Sequence, residues 1–324
     1  MQPNKKKVLV IGAGSGRDMA SAILITEQIK QSDENVQIDL AGFLTPWALH
    51  LFESKLEECI NEYIGQETKK LYRDNNNHTK SYEIVDQYFE PILYHINKEK
   101  NLGIRKIYGF SLQYGTNQLQ KDFDKLVEQN QYDLILAVDV GGDILAHKQD
   151  FPTLYTPLVD LTCLQILSNS KTTASKQLVV IAPGVDGEIC SKRLAQIIDE
   201  EEKNILAEYR IKKNDKNYQQ FVALYQEINR KTNSASYTGE LLIKAVETGP
   251  HQYLKVMFRR KKGKETYIQI QTIDTTLASK IYYFDLEKVK AKRQIEISYH
   301  TLQEAQKQME AMGMAGTELQ LGPK

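Results

Sequence analysis

The chain has 324 residues, 41% of them hydrophobic and 26% charged, with 8 prolines and no low-complexity tract. This excludes general disorder and allows a substantial core, in one large α/β domain or two smaller ones. Lysine plus arginine equals aspartate plus glutamate at 42 each, so no whole-chain field favours nucleic acid or an anionic membrane.

The opening MQPNKKK runs into VLVIGAG, an apolar stretch too short, and too soon broken by glycine, for a signal peptide or membrane span. A cytoplasmic protein with no membrane partner is expected. Cys59, Cys163 and Cys190 are odd in number, widely spaced and without a CxxC, which fits a reducing compartment and neither a disulfide scaffold nor a zinc ribbon. Lys7 to Ile11 has the pattern of a buried parallel strand, and helical periodicity follows from Asp18 to Gln31. Val36 to Leu44 predicts a second strand. Trp47 to Asn97 reads as a helix-rich, polar segment that covers the sheet rather than building it.

Lys106 to Leu112, Asp133 to Val140 and Leu178 to Ala182 predict further strands. Helical patterns at Asn117 to Gln129, Leu158 to Ser168 and Ser191 to Leu206 accompany them. Alternation of this kind predicts βαβ units and a Rossmann-like, mostly parallel sheet flanked by helices. Beyond residue 210 the spacing predicts helices over Tyr218 to Lys231 and Thr238 to Glu247. A C-terminal antiparallel hairpin addition follows, made of YLKVMF and TYIQIQ with the basic cluster Arg259 to Lys264 as its solvated loop. A tyrosine-rich strand from Lys280 to Leu286 comes next, and a final helix and tail begin near Leu302. The expected division is a single α/β domain over residues 1–300 and a C-terminal helix and tail over 301–324.

Three motifs of glycine and acid each follow a strand: GAGSGRD (Gly12 to Asp18), DVGGD (Asp139 to Asp143) and APGVDGE (Ala182 to Glu188). In an open parallel sheet ligands bind beyond the carboxyl ends of the strands, so three loops remote in sequence can share one crevice. Gly12, Gly14 and Gly16 allow a tight turn at a helix N-terminus, where amides and dipole favour phosphate, and Arg17 is placed to pair with it. The same glycines also suit a plain strand-to-helix turn. A dinucleotide fingerprint would need glycine where Arg17 stands, so that motif is broken, although Asp39 lies at about the spacing expected for a ribose contact. There is no P-loop sequence.

Asp139 and Asp143 flank Gly141 and Gly142 at a strand end, a pair able to hold a divalent cation, bind hydroxyls or orient a water. Asp186 and Glu188, with Gly184 and Gly187, stand in the same relation to the next strand, where Asp-Gly is also ordinary turn chemistry. Gathered together, Asp18, Asp139, Asp143, Asp186 and Glu188 would repel one another unless a cation or a polyhydroxylated ligand relieved them. Magnesium on Asp139 and Asp143 with a phosphorylated ligand is the simplest solution. His147, as general acid or base or as a metal ligand, and Asn117, as crevice lining or as a helix cap, are secondary candidates.

The stretches GAGSGRDMASA, VDVGGDIL and APGVDGEI resemble the signature segments of the uncharacterised family named domain of unknown function 1152, over about residues 7 to 300. Ser15 and Arg17 depart from the nearly all-glycine opening usual there. The resemblance implies one shared site and no particular reaction. The leading expectation is an enzyme that hydrolyses or transfers a group on a small phosphorylated or nucleotide-like molecule, with Asp139, Asp143 and Asp186 as catalytic acids and magnesium as cofactor. The alternatives are a non-catalytic nucleotide or metabolite sensor and an NAD(P)-dependent oxidoreductase. Nucleic acid is not expected as a partner, and a homo-oligomer is compatible with the abundance of tyrosine.

Overall fold

A computed structural model of the chain describes residues 5–14, 18–44, 60–62, 89–232, 237–262, 265–293 and 296–314. Its centre is strand β1 (Lys7–Gly12), with β2 (Gln37–Leu44) on one side and β5 (Leu134–Val140) on the other, both parallel to it. β4 (Ile104–Ser111) extends the parallel set beyond β2, and β6 (Ser175–Ile181) extends it beyond β5. A short antiparallel β3 (Ile60–Glu62) borders β4. At the opposite edge β10 (Lys280–Asp285) pairs antiparallel with β6, and β7 (Ile205–Arg210) pairs antiparallel with β10. The described sheet therefore runs β3-β4-β2-β1-β5-β6-β10-β7. The expected mostly parallel α/β architecture is present.

Val8, Leu9, Val10 and Ile11 are all fully buried because helices cover both faces of the sheet. Their side chains alternate. Leu9 and Ile11 enter a core shared with α3 (Gly115–Asn130), α4 (Pro157–Asn169), α5 (Ser191–Glu200), α8 (Leu286–Arg293) and α9 (Leu302–Ala311). Val8 and Val10 enter the other core, with α1 (Asp18–Ser32), α2 (Phe89–Lys100), α6 (Lys216–Thr232) and α7 (Tyr237–Thr248). Each such aliphatic side chain contributes about 1.5–3 kcal/mol by leaving water. Order reverses between β1 and β5, which makes the carboxyl ends of these two strands the topological switch point of the sheet, the place where open α/β sheets take ligands.

The expectation differs from the structure in three places, the first being that Ile60–Glu62, inside the Trp47 to Asn97 stretch expected to cover the sheet, joins its edge as β3. The helix placed at Ser191 to Leu206 stops at Glu200, and Ile205–Arg210 forms a strand because β10, far along the chain, supplies its hydrogen-bond partners. The basic cluster placed in the hairpin loop lies largely in strand: β8 (Tyr253–Lys262) pairs with β9 (Glu265–Asp274), residue for residue. Arg260 falls on the inward face of that ribbon, beside Val256 and Phe258, which are buried. The ribbon forms a separate two-stranded sheet. Of the helix-rich stretch expected over Trp47 to Asn97, the parts over 47–59 and 63–88 lie outside the described residues. Among those described, no helix is long and apolar enough to cross a membrane.

Candidate functional site

β1 ends at Gly12, and α1 begins with Asp18, whose Oδ2 accepts the amide hydrogen of Val140 at 3.1 Å. That bond ties the first glycine motif to the second. Gly16 and Arg17 lie outside the described residues. Asp139 is the sixth residue of β5, and its Oδ2 accepts from the amide of Gly142 at 2.9 Å. Gly141 and Gly142 have φ of +122° and +94°, which turn the chain sharply so that Asp143 begins a short 3-10 turn with its side chain directed inward.

The third motif folds onto the second. The Gly184 amide donates to the carbonyl of Gly141 at 2.6 Å, and a Cβ on Gly141 would lie 2.3 Å from Asp186 Oδ2. Asp186 therefore packs directly on the glycine pair. Glu188 is used differently: its carboxylate accepts the amides of Tyr155 and Thr156 at 2.6 and 3.2 Å and the Thr156 hydroxyl at 2.7 Å. It staples the segment that leads into α4. The ribbon closes over this loop, with Arg260 donating to the Asp186 carbonyl at 2.7 Å while its guanidinium stacks on Tyr155 and Phe258, 4.7 and 4.8 Å from the ring centres.

A residue the sequence reading passed over completes the group. Asp160, in the first turn of α4, brings a carboxylate to Asp139 and Asp143, and one oxygen from each of the three lies within 4.8 Å of the others. All three side chains are buried, and together they can hold a metal ion. A signal for Asp160 existed: it is the sole charge in the apolar helix PLVDLTCLQILSN. A cavity of about 20 Å³, room for one water, adjoins the trio and is lined by Asp143, Asp160, Leu164 and Lys290.

Burial pushes these carboxyls upward, because the charged form loses its hydration. Asp18 is raised to about 8 by burial, with Asp186 adding repulsion and the Val140 amide opposing it. Asp186 is raised to about 7, chiefly by burial and then by Glu188. Asp139 lies well above the usual carboxylate range through burial and the charges of Asp18 and Asp186. Asp143 does so through burial and then Asp160 and Asp139. The arrangement is one of like charges that either hold protons or require a cation.

The secondary candidates lie apart from this chemistry. Asp39 sits near the start of β2, where Arg105 Nε donates to it at 2.8 Å and the Tyr132 hydroxyl at 2.5 Å. It is fully buried in that ion pair, at the strand end opposite a nucleotide crevice. His147 takes part in capping the 148–153 turn with Asp150, and Asn117 is exposed on α3.

A family model described as "Protein of unknown function (DUF1152)" matches residues 78–322. No curated protein matches the chain. Among solved structures, a mutant T5 5'-exonuclease is similar at 10% identity and TM-score 0.20, covering 76% of this chain and 94% of that one. A T5 protein co-crystallised with metal ions follows at 12% identity and TM-score 0.17, over 75% and 94%. A bacteriophage T5 flap endonuclease complexed with DNA and metal ions stands at 13% and 0.18, over 75% and 94%. The expected small phosphorylated or nucleotide-like partner, with nucleic acid set aside, is corrected here: these structures are of DNA-processing nucleases, and none supports a small-molecule partner. TM-scores of 0.20 and below assign no activity to the chain.

Proposed function

We propose, starting from the premise that this chain belongs to the DUF1152 family, whose description states no reaction, that its acidic crevice is a divalent-cation-dependent hydrolytic site acting on a phosphate ester. The observation that carries the reading is the trio Asp139, Asp143 and Asp160, three buried carboxylates with oxygens within 4.8 Å of one another at the carboxyl end of a central strand. An all-oxygen donor set suits magnesium or manganese. The first turn of α1, which Asp18 opens, adds a dipole that favours an anion at the same place.

Asp139, Asp143 and Asp160 would hold the cation, which when bound supplies Lewis-acid polarisation of an ester oxygen and a more acidic water. Asp143 and Asp160 also face the one-water cavity, so either can accept a proton from a water held there. Asp186, anchored through the Glu188 amide at 3.0 Å, packs against Gly141 next to this group. Arg260 holds the loop bearing Asp186 and Glu188 in position, a role in placement rather than in bond breaking.

The test is hydrolysis of bis-p-nitrophenyl phosphate, p-nitrophenyl phosphate and single- and double-stranded DNA, each with magnesium, manganese or EDTA. Cation-dependent turnover of at least one substrate is expected, with a loss of at least 100-fold in Asp143→Asn while the fold is retained. Turnover in EDTA equal to that with metal, or an Asp143→Asn variant as active as the parent, rejects the reading.

A further inference from the structure

We infer that the outward face of the ribbon formed by β8 and β9 docks on an anionic lipid surface, with Met257, Ile268 and Ile270 entering the apolar layer while Lys255 and Arg259 meet the head groups. The acidic site plays no part in it. Along β8, Val256 and Phe258 are buried whereas Tyr253, Lys255, Met257 and Arg259 are exposed, so the two sets lie on opposite faces of the strand. Register places Lys255 opposite Thr272, Met257 opposite Ile270 and Arg259 opposite Ile268. One face of the ribbon therefore carries a compact aliphatic group flanked by two cations.

The inner face fixes this orientation. Arg260 donates to the Asp186 carbonyl at 2.7 Å, Gln271 to the Gly187 carbonyl at 2.5 Å, and the Asp274 amide to the Ser191 hydroxyl at 3.2 Å. Those bonds hold the ribbon against the body of the fold and leave its other face to solvent, with Tyr253, Met257, Ile268 and Ile270 57–72% exposed. Large apolar side chains gathered on one surface in this way mark an interaction site, where scattered ones do not.

Charge decides the occupant. Neither cation faces an acid across the ribbon, and Asp274, opposite Tyr253, has its Oδ1 engaged by the Thr276 amide at 2.8 Å. The chain continues with Lys261, Lys262 and Lys264, so a local positive excess exists although the whole-chain charge is zero. A second copy of the chain laid face to face would bring like cations together. Nucleic acid would answer the cations and leave the aliphatic group against hydrated phosphates. An anionic bilayer answers both, since long basic stems reach head groups while aliphatic side chains go deeper. Tyr253 and Tyr237, whose hydroxyl donates to the Met257 carbonyl at 3.1 Å, border the group and suit the interfacial zone.

The experiment is co-sedimentation of the full chain with vesicles of phosphatidylcholine alone and of phosphatidylcholine with about one third phosphatidylserine, at low and at high salt. About tenfold tighter binding to the anionic vesicles is expected, and its loss at high salt. Lys255→Glu with Arg259→Glu should remove the preference for phosphatidylserine, and Ile268→Ser with Ile270→Ser should weaken binding about tenfold. Parent chain that stays in the supernatant with anionic vesicles, or variants that sediment as the parent does, overturns the proposal. A dimer that Ile268→Ser with Ile270→Ser dissolves would assign the face to a second copy, and tighter binding to a DNA oligonucleotide than to vesicles, lost in Lys255→Glu with Arg259→Glu, would assign it to nucleic acid; either result overturns it too. Should a variant fail to fold, the parent's preference between the two vesicle types decides.

Discussion

The raised carboxyls make stability depend on pH in a direction opposite to that of ordinary salt-bridged acids. Asp18 at about 8 and Asp186 at about 7 both lie above the ordinary 3.8, so below these values the fold keeps protons that the unfolded chain has already released. Stability from such groups is fully present below the unfolded value and is lost as pH climbs through the folded one. Each retained proton costs about 1.4 kcal/mol per pH unit, hence about 2 kcal/mol between pH 5 and 6.5. At about 2.1 cal/mol/K of unfolding entropy per residue, this lowers Tm by roughly 3 °C per proton, or roughly 6 °C for the two groups. Differential scanning calorimetry in EDTA at these two pH values reads the fall directly. Magnesium should reverse it, because the cation binds ionised carboxylates and therefore stabilises more at pH 8 than at pH 5. A flat or rising Tm in EDTA, or a magnesium gain that is the same at both pH values, would falsify the description of this site.

Two further substitutions separate scaffold from site. Asp39→Ala breaks an ion pair with the partly exposed Arg105 and strands the buried Tyr132 hydroxyl; a loss of about 1–3 kcal/mol in urea unfolding is expected, with manganese affinity unchanged. A drop in metal affinity would instead put Asp39 in the site. Gly187→Ala places a Cβ 2.3 Å from the Phe258 ring at a φ of +69°, so the ribbon must shift, at a cost of about 1–3 kcal/mol; a Tm within one degree of the parent contradicts the observed docking.

Much of this molecule is legible along the chain because its determinants are local. Runs such as VLVI and LILAVDV are apolar without interruption because both sheet faces are covered, and that pattern alone announces buried parallel strands. Glycine and acid placed directly after three such runs end up in contact, since a parallel sheet delivers every one of those loops to the same end. What spacing does not encode is which carboxylates face one another. Asp160 joins Asp139 and Asp143 only because α4 packs its first turn beneath the Asp143 turn, while Glu188, apparently equivalent to Asp186 in its motif, is taken up by the amides of Tyr155 and Thr156. β7 likewise becomes a strand only through β10, and the basic run at 259–262 becomes strand rather than loop only through its pairing with β9. Local chain stiffness and burial periodicity dictate the elements; the distances between charges depend on packing among residues tens to hundreds of positions apart, and only the folded structure decides those.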